Sequence, residues 1–290
     1  MRSLTLVAAL LLAAGCDSDT IEHGSLDGGS ADGVGVDAGP DLGAPDSATA
    51  DGAGATLSIY IRGDTTSKTF GDGLAGQTPK VYVMGLGRFD IMTSASDPAP
   101  VTVFDHGNAP VEVDLLSETL GGQGHIADLP AGSYSHGRVL LTMSRFTVDA
   151  TVHAVAAFPG EIEVVAALSD TTISGKPWTQ GQASFSFKSS GGQPVTIPAT
   201  LPPLPTTGGG TIVQQGGETW LVFPFPKPID ISPSSTSRRA TIVYQVFESF
   251  RWQDQTKAGF QDDVFDVDAL GLSFEAVKNY GATGYSVELD

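Results

Sequence analysis

From Thr56 onward, apolar and polar residues alternate with a period of two in one short run after another, and almost nowhere with the period of a helix. Leu57, Ile59 and Ile61 alternate with Ser58, Tyr60 and Arg62, as one buried face of a strand requires. The pattern recurs in KVYVM (80–84), RFDIM (88–92), PVTVF (100–104), VEVDLL (111–116), RVLLTM (138–143), FTVDATVHAV (146–155), EIEVVAAL (161–168), ASFSF (183–187), ETWLVF (218–223) and ATIVYQVFESF (240–250). Turn signals rich in Gly and Pro separate nearly all of these runs. Short strands so punctuated predict an all-β fold, an antiparallel β-sandwich rather than alternating β and α units. Only residues 270–280 read as a short helix.

The region 56–290 is long enough for one large core or two small ones. Its proline-rich stretch 194–210 (PVTIPATLPPLPTTGGG) is the one place for an internal boundary. Strand runs of similar character on both sides favour a long loop inside a single domain.

The N-terminus obeys different rules. Residues 1–16, MRSLTLVAALLLAAGC, place one cation, Arg2, before an apolar run at 4–14. That run is too short to span a bilayer, which takes roughly 20 apolar residues, and has the layout of a secretory signal. Its end, LAAGC, resembles the bacterial lipobox. The expectation is a signal peptide at 1–15 and lipidation, with palmitate among the acyl chains, at Cys16. As Cys16 is the only cysteine, its acylation leaves no thiol for a disulfide, a redox pair or a thiolate metal site. The expected address is the bacterial cell envelope, membrane-anchored through lipid in the inner or outer membrane and periplasmic or surface-facing.

Residues 16–55 follow as a Gly/Ala/Asp linker without an aromatic, a Lys or an Arg. Such a segment buries too little apolar surface to fold and is expected to be disordered. Its nine acids equal half of the chain's net charge of −18. A flexible linker of this length spans about 35 Å, and more when like charges stretch it. The aspartates recur without the D-x-D-x-D spacing of a calcium loop.

The stretch 111–143, VEVDLLSETLGGQGHIADLPAGSYSHGRVLLTM, carries a DLL near a strand end, then LPAGSY, then Arg138 opening an apolar strand. It resembles an uncharacterised family of bacterial lipoproteins with a predicted transthyretin-like or immunoglobulin-like sandwich. The LPAG-x-Y element also recurs in prealbumin-like folds. Pro130 and Gly132 would make the turn, and the Tyr134 hydroxyl would bond back across the corner. The resemblance is clearest over 56–150 and implies fold and address. It brings no catalytic residue.

Chemistry is harder to find. Gly71, Gly73 and Gly76 spell G-x-G-x-x-G, but Pro79 and a β-like run follow where a dinucleotide site needs a helix. No HExxH, P-loop or G-x-S-x-G motif occurs. His106, His125, His136 and His153 lack close metal-ligand spacing. Asp262, Asp263, Asp266 and Asp268 form the densest acidic cluster and are candidate calcium ligands, although the interleaved Val264, Phe265 and Val267 fit a strand with one wet face. Trp178, Trp220 and Trp252 are candidates for stacking on sugar rings, with core packing as the plainer account. With 33 acidic against 15 basic residues, nucleic acid is excluded as a partner.

The leading expectation is a non-enzymatic, lipid-anchored sandwich with a binding or structural role and no resident cofactor. Its partners are the membrane, through lipid, and a glycan or envelope protein. The alternatives are a carbohydrate-binding or calcium-dependent adhesion module, and an envelope hydrolase with carboxylates dispersed in sequence.

Overall fold

A computed structural model describes residues 54–189, 195–200, 204, 209–269 and 273–290. In chain order its strands are β1 (Thr56–Asp64), β2 (Ala75–Gln77), β3 (Val81–Met92), β4 (Val101–Asp105), β5 (Val111–Asp114), β6 (Thr119–His125), β7 (Gly132–His153), β8 (Ala157–Ala167), β9 (Thr171–Ile173) and β10 (Lys176–Trp178). They continue as β11 (Gln182–Ser189), β12 (Val195–Thr200), β13 (Thr211–Gln215), β14 (Glu218–Ile231), β15 (Arg238–Gln245), β16 (Phe250–Gln253), β17 (Phe265–Asp268), β18 (Ser273–Phe274), β19 (Ala276–Asn279) and β20 (Tyr285–Leu289). Among the described residues the only helical element is one 3-10 turn, Ile126–Asp128. The fold is all-β and mostly antiparallel, as alternation predicts.

β7 organises the large sheet. It is 22 residues long, where strands usually run to about 5 or 6. Along one edge it pairs with β3 and then, in parallel, with β17; along the other it pairs with β14 and then with β8. The exchange of β14 for β8 falls at Thr142, between the pairs of Leu141 and Met143.

At that point the alternation changes phase. Val139 and Leu141 are core residues in the first half of β7, and Phe146, Val148 and Ala150 in the second. The same slip occurs in β3, where Tyr82, Met84 and Leu86 give way to Phe89 and Ile91. Register shifts between Gly85 and Arg88 absorb it as bulges. A side chain at Gly85 would collide with Thr142 and Met143. The sequence therefore reads each long strand as two short runs, and the backbone joins them.

The second sheet runs β20-β15-β1-β6, with β1 parallel to β15 and the other pairs antiparallel. Leu57, Ile59 and Ile61 share one core with Ala240 and Ile242 of β15 and with Leu86, Phe104 and Val113 of the large sheet. Each buried Leu, Ile, Val or Phe among them contributes roughly 1.5–3 kcal/mol. The glycines of β6 let the layers approach: a Cβ on Gly122 would sit 2.6 Å from the Phe104 ring, and one on Gly124 would overlap the Val103 carbonyl. At the corner before β7 the Tyr134 hydroxyl donates to the Pro130 carbonyl at 2.8 Å, the bond expected from LPAGSY.

Two readings of the sequence need correction. Residues 273–280 are extended, because β19 pairs with β16 and leaves no backbone groups for a helix; residues 270–272 lie outside the described residues. The run 240–250 is broken into β15 and β16 by a turn in which Glu248 has φ 43°. Within 194–210, Val195–Thr200 forms strand β12 against β11, and the flanking β11 and β14 belong to the same large sheet. Gly76 lies in β2, paired with β16, so a strand follows the glycine-rich loop.

The close layer contact is testable. Gly124→Ala is expected to lower the unfolding free energy by about 1–3 kcal/mol. Gly71→Ala, with open space around its α-carbon, should change it by less than about 0.5 kcal/mol. Denaturant titration of both variants measures the contrast; equal effects would contradict the packing.

Candidate functional site

The face of the large sheet away from the core holds the most chemically distinctive cluster. On β3 the core takes Phe89 and Ile91, so Arg88, Asp90 and Met92 lie on the opposite face. By the same parity β7 offers Arg138, β14 offers Glu218, Trp220 and Val222, and β13 offers Val213 and Gln215. Strand pairing sets these side by side. Arg88, Leu140, Trp220 and Val213 form one cross-strand row, and Asp90, Arg138, Val222 and Thr211 the next.

Asp90 is fully buried and holds both arginines. Arg88 donates from Nε to Oδ1 and Arg138 from Nε to Oδ2, each at 2.7 Å. Arg138 also lies over the Trp220 ring, with Cζ 4.1 Å from its centroid, and Arg88 stands at 5.8 Å. The indole of Trp220 donates to Glu218 Oε2 at 2.9 Å. One carboxylate thus fixes two guanidinium groups and leaves a net charge of one.

Only Nε is committed in this pair. Arg62, Arg145, Arg239 and Arg251 each give an Nη nitrogen to a carboxylate. The Nη groups of Arg88 and Arg138 have no acceptor among the described residues. Both arginines line a groove of about 550 Å³, together with Met92, Trp220, Gln215 and Glu218. The loop after β3 forms one wall. There Asp97 accepts from Thr93 N (2.8 Å), Thr93 Oγ1 (2.7 Å) and Ala99 N (2.9 Å). These bonds, the Thr93 amide first, hold its carboxyl below the usual carboxylate range. Guanidinium groups stay protonated throughout the physiological range, so this site is equipped to bind and orient an oxyanion rather than to transfer protons.

The tryptophans do not form one platform. Trp178 is half-buried in the β9–β10 hairpin, whose turn has Ser174 and Gly175 at positive φ. Trp252 is fully buried, packed on Phe250 and Phe265, with its indole donating to Asp254 at 3.0 Å. Trp220 alone lines the groove, but it is buried with Arg138 over its ring and presents no open face for stacking on a sugar.

The aspartate cluster also separates. Asp266 is fully buried, bonded to His153 Nε2 at 2.6 Å and to the Gln261 amide at 2.7 Å. It corrects the expectation of one wet face, because these donors and the Glu275 carboxylate, which accepts the Asp266 amide at 2.9 Å, enclose it. Burial pushes the Glu275 carboxyl above the usual range. Asp268 pairs with Lys257, while Asp262 and Asp263 are exposed. Among the described residues no three or more His, Cys, Asp or Glu side chains gather as a metal site. Cys16 and the linker up to residue 53 lie outside the described residues.

No family model, curated protein or solved structure matches the chain. Among the described residues no helix is long and apolar enough to cross a membrane.

The arginine pair escapes a reading of motifs. Its one signal is RFD, which puts opposite charges at i and i+2 on one face of an apolar strand; the partner, Arg138, is 48 residues away. The triad predicts its own sensitivity. Asp90→Asn removes the shared partner of two adjacent cations and should cost about 3–5 kcal/mol of stability, measured by denaturant unfolding. A loss below about 1 kcal/mol would contradict the clamp.

Proposed function

We propose that this chain is a lipid-anchored, non-enzymatic protein of the bacterial cell envelope that presents a binding groove on a prealbumin-like or immunoglobulin-like sandwich. The groove built on Asp90, Arg88, Arg138 and Trp220 carries the reading. It places two fixed, unsatisfied donor forks beside an aromatic ring and polar rim groups, the composition of a recognition site. The lipobox-like LAAGC supports an anchor at Cys16, and the acidic linker suits a domain held off its membrane. The Tyr134 corner supports the type of sandwich.

A carbohydrate ligand suits the groove better than calcium-dependent adhesion, since Gln215 and Glu218 line it with hydrogen-bonding groups while the aspartates of 262–268 are dispersed. The hydrolase alternative is weaker. Of the two carboxylates on this groove, Asp97 is tied to its own loop by three hydrogen bonds and Glu218 is engaged with the Trp220 indole, so neither stands free as a catalytic pair would.

Two measurements test the reading. Palmitate labelling should mark wild type and not Cys16→Ala; equal incorporation would refute the anchor. On an array of envelope glycans the purified protein should bind without turnover, and Ser96→Trp, which fills the groove from its exposed wall, should abolish binding. A ligand at 100 times its Kd adds about 2.7 kcal/mol, readable as a rise in Tm. Sustained hydrolysis of a polysaccharide or ester would overturn the non-enzymatic role.

A further inference from the structure

We infer that the ligand of this groove is an acidic saccharide, recognised through a single carboxylate flanked by hydroxyl groups. The inference rests on reading the groove as the binding site and names what it takes.

The anion follows from the arginines. In a chain with a net charge of −18, two guanidinium groups stand together on one buried carboxylate, held by Nε and stacked toward Trp220. The fork of each is oriented before any ligand arrives, so little side-chain freedom is lost on binding. Two arginines on one groove, each with Nη donors beyond its bond to Asp90, can each give a hydrogen bond to a carboxylate oxygen.

Charge at the rim selects among anions. The triad has a net charge of +1, and Glu218 and Asp97 stand on the same groove. With these two rim carboxylates the five groups together carry one net negative charge, so a phosphate dianion meets more repulsion than a single carboxylate does. Glu218 uses Oε2 for the Trp220 indole, and its Oε1 has no donor among the described residues. That oxygen, like the Gln215 side chain, is an acceptor for ligand hydroxyls. A carboxylate with neighbouring hydroxyls is the chemistry of a uronic acid residue. An acidic peptide brings the carboxylate without the hydroxyl donors.

Titration calorimetry of the full chain in detergent tests this with four probes: an oligogalacturonate, the same oligomer methyl-esterified, inorganic phosphate and a short aspartate peptide. The acidic oligomer should bind, esterification should weaken binding about tenfold or more, and neither phosphate nor peptide should compete. Arg88→Gln and Arg138→Lys should reduce affinity for the acid by a larger factor than affinity for the ester. The comparison of acid with ester in wild type decides the matter even where a variant fails to fold.

Equal affinity for acid and ester, lost in Ser96→Trp, would overturn the carboxylate and leave the groove reading intact. Stronger binding of phosphate or peptide would overturn the saccharide. Failure of the acidic oligomer to bind, or binding untouched by Ser96→Trp, would also overturn the inference; the glycan array then judges the groove separately.

Discussion

The large sheet depends on one constraint: β7 must serve four partner strands along its two edges, and it can do so only by changing phase midway. A strand with a fixed period of two buries the same parity throughout. In β7 the buried parity switches between Leu141 and Phe146, with β3 switching beside it through the bulges at Gly85 to Arg88. Before the switch, odd residues of β7 face the core and Arg138 faces out. The groove exists because Arg88, Asp90 and Arg138 share that outward parity on neighbouring strands.

Much of this fold is legible in the sequence. Leu57, Ile59 and Ile61 alternate cleanly and are buried, and the LPAGSY corner forms its hydroxyl bond. Strands that lack alternation are not legible. TLGGQGH becomes β6 because its glycines permit close sheet packing, not because its side chains fill a core. Residues 276–279 look helical in isolation and are extended because β16 supplies their hydrogen bonds. The site is less legible still. Each of its polar residues looks like an ordinary wet-face residue of a strand, and only cross-strand pairing brings Arg138 to Asp90.

The two buried carboxylate centres differ in what remains unused. At the far end of β7, Asp266 and Glu275 are enclosed by His153 and by the amides of Gln261, Gln255 and Asp266. Their bonding ties β17 to β7 and to the segment before β19. Asp90 instead holds the inner nitrogens of two cations that line a groove. The first arrangement closes on itself, as a stabilising network does; the second leaves donors for something else.

Arginines positioned in advance require that the groove's floor belong to the most rigid part of the sheet. Amide hydrogen exchange tests it directly. Residues 138–141 of β7, with 88–91 of β3 and 219–223 of β14, should exchange most slowly, about two orders of magnitude or more behind the edge strand β13. Exchange at the floor as fast as in β13 would show a loosely held surface and contradict the account.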